Sequence, residues 1–251
     1  MRKALLYTVR ADLHIHTVLS PCGDIEMTPL NIVAKAKKRG LSVIGITDHN
    51  STRETAEVKR VAEREGLFVL CGAEITTKEE VHVLAYVDGQ ERLSLLQDFL
   101  DTYLIKVKNN EAIFGYQLVV NEKEEVLYQE DNLLIGAIDR SIDEVAAFIK
   151  SLDGIFIPAH IDKQQNSLLS QLGFLPFSLN PDALELSAIC NTESFFKQNS
   201  YLETHPFICS SDAHYLEDIG RASTELNISE LSFQSVKSAL KSANKNSFVY
   251  E

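Results

Sequence analysis

Strand-like and helix-like segments alternate along most of this 251-residue chain, and that alternation limits the folds open to it. A short β-branched run at 41–46 is followed by Ser51-x-x-Glu54, a capping-box pattern that predicts a helix. Further along the chain, Ser141-x-x-Glu144 predicts another helix, followed by an apolar strand. Repeated strand–helix units of this kind indicate an α/β fold with a largely parallel sheet.

Polar residues replace the glycine-rich phosphate turn that an open doubly wound sheet would carry after its first strand. The chain has His-Ile-His there, so a distorted (β/α) barrel with fewer than eight units is the better prediction. No Pro/Gly/Ser-rich linker divides the sequence, and we expect a single catalytic domain over 1–251. The segment 90–135 breaks the alternation, with a predicted helix over 91–113 and a hairpin of 116–120 and 126–128. We predict that it is an insertion or cap.

The composition argues against some partners. The formal net charge is −12, and Lys35–Arg39 is the longest basic run, so we expect no stable nucleic-acid partner. A small nucleotide or a strand end remains compatible with that charge. The N-terminal segment has only a short apolar run, which predicts a cytoplasmic protein with no signal peptide or membrane span. The four cysteines of the chain are far apart, which is consistent with free thiols in a reducing compartment. The oligomeric state stays open.

Histidines are concentrated at the ends of the predicted strands. Six of the seven lie in or directly after a strand, where the chemistry of such barrels is found. The proposed ligands are His14, His16, His49, His82, His160 and His214, with the carboxylates Asp24, Glu74 and Asp212. His205 precedes its strand and is expected to be structural. A nitrogen and oxygen set of this size exceeds the needs of one ion and suits two to three divalent ions of zinc, manganese or iron.

Several adjacent divalent ions suit the hydrolysis of phosphoesters. Together they lower the pKa of a bridging water, bind the phosphoryl oxygens and stabilise the leaving oxygen. The ions would bring more charge than the carboxylates and a bridging hydroxide return, so the site would attract phosphate even on an acidic protein. We therefore expect hydrolysis of a small phosphorylated metabolite or nucleotide by a metal-bridging hydroxide.

The motifs resemble those of a known family. The segments at 12–16, 47–49, 158–160 and 211–214 (Asp-Leu-His-Ile-His, Thr-Asp-His, Pro-Ala-His and Ser-Asp-Ala-His) are similar to the four motifs of the PHP (polymerase and histidinol phosphatase) superfamily. They occur in the same order over nearly the whole chain. The resemblance implies a distorted (β/α)7 TIM-like barrel, a trinuclear metal centre and metal-dependent phosphoesterase activity.

The resemblance also implies how the ligands are shared. The first ion is expected on His14, His16, Glu74 and Asp212; the second on Glu74, His82 and His160; the third on Asp24, His49 and His214. The loop between His16 and Thr28-Pro29, called the first loop below, is two or three residues longer than in many relatives. Counting back from Thr28 puts Asp24 at the ligand position, with Cys22 or Glu26 as alternatives.

Other residues receive roles around these ligands. His214 or His49 is expected to protonate the leaving oxygen. Lys163 and Arg221 are either phosphate clamps or solvated surface cations. Asp12 and Asp48 are expected to orient neighbouring imidazoles, although Asp12 also suits a plain hydrogen-bond role at a strand end.

Three alternatives remain. A nuclease or 3′-end phosphoesterase acting on nucleic-acid ends would use the same ions, but the chain lacks an aromatic and basic groove. An amidohydrolase-type enzyme cleaving C–N or C–O bonds would also suit this metal arrangement. A non-catalytic scaffold is disfavoured, since every ligand position is filled.

Overall fold

The computed structural model describes residues 5–251, in which strands and helices alternate as the sequence predicts. The strands are β1 (Tyr7–Ile15), β2 (Val43–Ile46), β3 (Phe68–Thr76), β4 (His82–Tyr86), β5 (Leu118–Val120), β6 (Val126–Gln129), β7 (Ile155–Pro158), β8 (Leu184–Leu186), β9 (Phe207–Cys209), β10 (Ala222–Ile228) and β11 (Phe248–Tyr250). The α-helices are α1 (Pro29–Lys38), α2 (Thr55–Arg64), α3 (Gln90–Tyr103), α4 (Glu111–Phe114), α5 (Ile142–Ser151), α6 (Leu168–Leu172), α7 (Thr192–Gln198) and α8 (Phe233–Leu240).

The main sheet is mixed rather than largely parallel. Its seven strands lie in the order β11-β10-β1-β2-β3-β4-β7. The pairs β1–β2 and β2–β3 are parallel, whereas β10 and β11 pair antiparallel at one side and β4 and β7 at the other. Strand β4 follows β3 after a five-residue turn in which Glu80 has a positive φ of 61°, and such a short connection allows only antiparallel pairing. The expectation of a largely parallel sheet was therefore wrong.

Strands β8 and β9 form a separate parallel pair, which lies between the segment after β7 and the end of β1. The Ile161 N–H donates to the Glu185 carbonyl oxygen at 2.8 Å, which joins the segment after β7 to β8. The His16 N–H donates to the Ala213 carbonyl oxygen at 2.9 Å, which joins β1 to the segment after β9. The strand ends that carry the predicted ligands are thereby drawn together.

Both faces of the sheet are buried. Val43 and Leu70 belong to one apolar cluster, which also contains residues of α8. Ile44 and Val69, their neighbours in sequence, belong to the second cluster, with residues of α1, α2 and α5. Because successive side chains of a strand point to opposite faces, these runs must be apolar throughout.

Helix boundaries follow some of the predicted caps. Ser141 and Glu144 form the predicted capping box at the start of α5. The equivalent prediction for α2 was wrong, because that helix begins at Thr55 without a side-chain cap. The buried Glu54 carboxylate instead accepts a hydrogen bond from the Val120 N–H at 3.0 Å, so it ties the hairpin to the helix.

The segment 90–135 differs from its prediction in one respect. The predicted helix over 91–113 ends at Tyr103, since the backbone at Leu104 pairs with Ile138 and that at Lys108 with Asn132. The predicted hairpin is present, as β5 and β6 in a separate two-stranded sheet. Whether this segment is an insertion, and whether the chain is one domain, stay predictions.

Across residues 5–251, none of the helices combines the length and the apolar character needed to cross a membrane.

Candidate metal centre

Two histidines at the end of β1 form the middle of the site. His14 lies in β1 and His16 directly follows it, two positions along the chain, so both side chains face the same side, and both are fully buried. Their Nε2 atoms lie 3.2 Å apart. Neutral imidazoles that donate through Nδ1 would direct two lone pairs into this gap, and a common cation would give both a partner.

A carboxylate that sequence analysis missed orients His14. The Nδ1 atom of His14 donates to Glu185 Oε2 at 3.0 Å, so Nε2 faces the cluster and carries the lone pair in the neutral ring. The same oxygen accepts the His160 N–H at 3.0 Å. Glu185 is buried in the middle of β8, between two leucines. A lone acidic residue within a buried strand was the signal that could have revealed it.

A hydroxyl relay orients His16. Its Nδ1 atom lies 2.9 Å from Ser20 Oγ, and that hydroxyl donates to Asp48 Oδ1 at 2.7 Å. Because the Ser20 hydrogen is directed to Asp48, His16 donates through Nδ1, and the neutral ring would present the lone pair of Nε2 to the cluster. Asp48 also accepts the Thr17 N–H at 2.7 Å. It therefore acts on His16 through Ser20 rather than by direct contact with the ring.

Glu74 and Asp212 complete a four-sided cage with these two histidines. The His14 Nε2 atom lies 3.4 Å from Glu74 Oε1 and 3.3 Å from Asp212 Oδ1. The His16 Nε2 atom lies 3.3 Å from Glu74 Oε2 and 3.4 Å from Asp212 Oδ1. Bonds of about 2.0–2.1 Å in a tetrahedral zinc site set the donor atoms about 3.3–3.4 Å apart. The contacts of each histidine with the two carboxylates thus have the spacing of ligands on one ion. The cluster whose ligand atoms all lie within 4.8 Å of one another contains His14, His16 and Glu74.

Glu74 also faces a second group of imidazoles. Its Oε1 atom lies 2.8 Å from His82 Nδ1 and 3.1 Å from His160 Nε2. Its Oε2 atom lies 3.2 Å from His49 Nδ1. Within residues 5–251 the buried His82 Nε2, His49 Nδ1 and His160 Nδ1 have no hydrogen-bond partner. Unsatisfied buried nitrogens beside a shared carboxylate fit additional ions with Glu74 as the bridge.

A third group adjoins the first. The rings of His16 and His214 stack with centroids 4.1 Å apart, and His214 Nδ1 donates to the Asp212 carbonyl oxygen at 2.8 Å. Ligand atoms of His16, Cys22, His49 and His214 all lie within 4.8 Å of one another. Asp24, like Asp212 and His160, belongs to none of the ligand clusters found among the described residues, and Glu26 is exposed.

Without a cation, the carboxylates and the imidazoles of this cluster shift one another's pKa values. Burial disfavours ionised Glu74, yet the facing His82 and His14 outweigh it and hold the pKa of that carboxyl well below its usual range. Burial likewise opposes a charged His14, but Glu185 and Asp212 raise its pKa well above normal. Burial and the repulsion of His16 lower the pKa of His214 to about 4. The carboxylates stay ionised and attract whatever cation is available.

Two of the predicted ligands have unusual backbone conformations. Asp212 has φ of 53° and His160 has φ of 31°, a region that residues other than glycine rarely adopt. Each lies just after a strand, where this turn of the backbone redirects the side chain toward the cluster. Such strain persists where surrounding contacts hold it, as the Glu185 bond to the His160 N–H does here.

Asp12 has the plain structural role rather than that of orienting an imidazole. Its carboxylate accepts hydrogen bonds from the Ser211 N–H at 3.0 Å, the Ser211 hydroxyl at 2.6 Å and the Gly220 N–H at 2.8 Å. Burial raises its pKa to about 6 despite these bonds. Asp12 thereby anchors the loop that carries Asp212.

The predicted phosphate clamps line a cavity beside the cluster. This cavity of about 430 Å³ reaches Asp212 and His214 and is bordered by Lys163 and Arg221. Lys163 Nζ lies 2.5 Å from Asp212 Oδ2, the oxygen that faces away from His14 and His16. Arg221 pairs with Asp218 at 2.7 Å on the outer side.

His205 lies apart from the six clustered histidines. Its Nδ1 atom is 3.3 Å from the Leu202 carbonyl oxygen, in the turn before β9. Among the described residues it makes none of the contacts with Glu74 or Asp212 that the six clustered histidines make, and its structural role stays a prediction.

Comparison with known proteins agrees with the motifs. The PHP domain model matches residues 12–166, more than half of the chain, and a PHP-associated model matches residues 203–244. The chain therefore belongs to the PHP family, which consists of metal-dependent phosphoesterases and related hydrolases. This membership confirms the resemblance seen in the four motifs.

Individual relatives are more distant or shorter matches. An uncharacterised protein of Methanocaldococcus jannaschii is 42% identical over 79 residues, which is 28% of this chain and 46% of that protein. The uncharacterised protein YqxK of Bacillus subtilis is 24% identical over 93% of this chain and 62% of its own length. A crystal structure of a lesion-specific endonuclease from Pyrococcus furiosus aligns with a TM-score of 0.69 and 20% identity, covering 95% of this chain and 57% of that one. The chain thus spans less than two thirds of these relatives.

Proposed function

We propose that this protein hydrolyses phosphoester bonds of a small phosphorylated metabolite or nucleotide with the help of two to three divalent metal ions. The first ion is assigned to His14, His16, Glu74 and Asp212, the second to Glu74, His82 and His160, and the third to His49 and His214 with a residue of the first loop. The strands β1, β2, β3, β4, β7, β8 and β9 would form a distorted (β/α)7 barrel around this centre.

One observation carries the proposal. The Nε2 atoms of His14 and His16 lie 3.2 Å apart, and each lies 3.3–3.4 Å from an oxygen of Glu74 and from Asp212 Oδ1, which is the spacing of neighbouring ligands around a tetrahedral ion. Hydrogen bonds to Glu185 and Ser20 occupy the Nδ1 atoms of the two rings, so their facing Nε2 atoms are the ones available to a metal ion in exchange for a proton. The two carboxylates beside them supply the negative charge that such an ion requires.

The protein's own residues would prepare the ions and the substrate. Bound divalent ions lower the pKa of a water and neutralise the phosphoryl oxygens. Lys163 holds Asp212 Oδ2 at 2.5 Å, so the other oxygen stays directed at the cluster. Arg221, on the rim of the cavity, supplies a guanidinium that suits bidentate contact with a phosphate.

His214 and His49 are better assigned as ligands than as proton donors. The Nδ1 hydrogen of His214 goes to the Asp212 carbonyl oxygen, and its Nε2 then carries a lone pair. His49 faces Glu74 Oε2 at 3.2 Å. A neutral imidazole with its free nitrogen on a cation has no proton to give to the leaving oxygen. Water at the cavity mouth would protonate that oxygen instead.

The cavity favours a small substrate. A volume of about 430 Å³ accommodates a phosphorylated metabolite or a nucleotide, and Lys163 and Arg221 would attract its charge. The overall charge of −12 disfavours long stretches of nucleic acid.

The segment 90–135 is proposed to cap this end of a single catalytic domain. The Asn50 side chain, next to His49, donates to the Leu134 and Gly136 carbonyl oxygens at 2.7 Å. Thr28, at the end of the first loop, donates to Glu124 at 3.3 Å. These contacts tie the segment to two loops of the centre, and its shape would therefore influence which substrates enter.

A second candidate is cleavage at a nucleic-acid end or lesion. It is favoured by the similarity of fold to the lesion-specific endonuclease, which extends over 95% of this chain. The ligand clusters would serve either substrate. The length of polymer that can approach the cavity would distinguish the two activities.

A paired substrate screen tests the proposal. Phosphate release from a panel of phosphorylated metabolites and nucleotides would be measured with manganese- and zinc-loaded protein. Cleavage of single- and double-stranded oligonucleotides, with and without an abasic lesion, would be measured beside it. We expect turnover of a small phosphoester that chelation abolishes and metal restores. Turnover of oligonucleotides alone would favour the second candidate, and chelator-resistant activity would refute the metal mechanism.

A further inference from the structure

We propose that the thiolate of Cys22, rather than the carboxylate of Asp24, binds the third divalent ion together with His49 and His214. This inference rests on the proposed function, since it concerns one ligand of the same metal centre. It assigns a sulfur to a site for which the longer first loop left several residues open.

The position of Cys22 is the first reason. Its Sγ atom and ring nitrogens of His16, His49 and His214 form a cluster whose members all lie within 4.8 Å of one another. The cysteine is half-buried, which suits a ligand at the edge of an open cluster. Cys71, Cys190 and Cys209 join none of the ligand clusters formed by residues 5–251.

The neighbouring histidines provide an independent reason. His49 is 4% exposed, and its Nδ1, although 3.2 Å from Glu74 Oε2, makes no hydrogen bond with any described residue. His214 uses Nδ1 for the Asp212 carbonyl oxygen, which leaves Nε2 free. A buried imidazole without a partner beside a second free nitrogen and a thiol is the ligand set of a cation site.

Asp24 forms hydrogen bonds that stabilise the conformation of the loop. Its Oδ1 atom accepts the Glu26 N–H at 2.9 Å, and its own N–H donates to the His214 carbonyl oxygen at 2.9 Å. These two bonds shape the turn that carries Cys22 and join it to the strand end that carries His214. Asp24 is therefore assigned as a positioning residue.

A glycine allows the loop to close tightly next to Cys22. A Cβ atom at Gly23 would collide with the Thr17 carbonyl oxygen, so only glycine fits there. The Gly23 N–H donates to the Ser20 carbonyl oxygen at 2.9 Å. The turn thus runs directly from Ser20, which orients His16, to the proposed sulfur ligand.

A sulfur ligand has a chemical consequence. A thiolate carries the same single negative charge as a carboxylate, so the charge of the loaded centre is unchanged. It is a softer ligand, and softer ligands select zinc and similar ions over manganese and magnesium. The third site should therefore prefer zinc even if the other two accept harder ions.

Cobalt loading tests the inference without relying on activity. Cobalt(II) bound to a thiolate has a charge-transfer absorption in the near ultraviolet that cobalt bound to nitrogen and oxygen lacks. The cobalt-loaded protein should have this band. Cys22→Ser should lose the band and bind one ion fewer per chain, and Cys190→Ser, a half-buried cysteine outside the clusters, should keep both. Asp24→Asn, which keeps an oxygen acceptor for the Glu26 N–H, should also keep the band and the ion count.

The possible results separate the inference from the function on which it rests. Cobalt bound in the expected number with no thiolate band would overturn the Cys22 assignment and leave the phosphoesterase proposal standing. Loss of one ion in Asp24→Asn but not in Cys22→Ser would assign the site to Asp24. A protein that takes up no cobalt would overturn both. Since the band is measured first on the unaltered protein, a Cys22 variant that fails to fold would not remove the test.

Discussion

Glu185 Oε2 accepts the Nδ1 hydrogen of His14 at 3.0 Å, and this contact fixes which nitrogen of His14 faces the cluster. The same oxygen holds the His160 N–H at 3.0 Å, so one carboxylate positions two of the proposed ligands. Such carboxylate–histidine pairs set the tautomer and orientation of a ligand and raise its basicity. Glu185 should therefore influence metal affinity without touching the ion.

Replacing Glu185 with alanine should weaken binding of the first ion by about 10–100-fold, the usual cost of losing such a partner. Glu185→Gln keeps an oxygen that can accept from His14 and should cost less. Zinc affinity measured against a competing chelator tests this order. Glu225→Ala, an exposed residue of β10, is the matched control and should have no effect. Equal affinities for all variants would refute the positioning role.

Variants of His160 and His205 compare a proposed metal ligand with a histidine that has a proposed structural role. His160→Ala should lower kcat by more than about 100-fold, since losing a ligand costs more than losing the group that orients it. His205→Ala removes only a contact near the Leu202 carbonyl oxygen and should change kcat little. Steady-state kinetics with circular dichroism as a folding check would measure both. An inactive, folded His205 variant would contradict the assignment.

Arg221 is expected to act in substrate binding. Removing a charged hydrogen bond to phosphate costs about 1.5–3 kcal/mol, so Arg221→Ala should raise the inhibition constant of inorganic phosphate about 10–100-fold. Arg64→Ala provides a control, because the two side chains are similarly exposed (55% and 60%) and both are paired with a carboxylate. An unchanged inhibition constant for Arg221→Ala would mean that this arginine is only a solvated surface cation.

The raised pKa of Glu54 should make the free energy of unfolding depend on pH. Burial, and then the charge of Asp48, raise the pKa of Glu54 from 4.5 to about 9. Because the folded pKa lies above the unfolded one, the contribution of this group is full below about pH 4.5 and declines as pH rises toward about 9.

Glu54→Gln keeps an acceptor for the Val120 N–H and removes this titration. The stability advantage of this variant over the unaltered protein should be small near pH 5 and grow by about 1 kcal/mol per pH unit toward pH 8. Urea unfolding at several pH values would measure the difference. Glu63→Gln, at an exposed helix position, should run parallel to the unaltered protein. A difference for Glu54→Gln that does not grow with pH would contradict a buried, proton-bearing carboxyl.

The proposed ligands could be predicted because each has a local signal. His14 and His16 lie at the end of β1, and His49, His160 and Asp212 lie two or three residues after strands, so the pattern alone predicts that they meet. Glu74 lies within β3 rather than after it, since pairing with β4 extends that strand to Thr76. Such an extension depends on a partner strand and has no signal in the segment itself.

The residues that were missed depend on contacts distant in sequence. Glu185 is 171 positions from His14, and no spacing rule relates the two. The helix over 91–113 ends early because Leu104 is buried and its backbone pairs with Ile138, a tertiary contact that overrides helix propensity. Ser51 does not cap α2, since the Glu54 carboxylate of that motif binds Val120 of the hairpin.

The metal content of the purified protein, measured together with its activity, tests the central claim most directly. Elemental analysis should find two to three divalent ions per chain, and stripping them with a chelator should abolish phosphate release until zinc or manganese is restored. His16→Ala removes a nitrogen ligand from the four-sided cage of His14, His16, Glu74 and Asp212, so this variant should bind at least one ion fewer. A folded, metal-free protein that hydrolyses phosphoesters at the full rate would contradict the account.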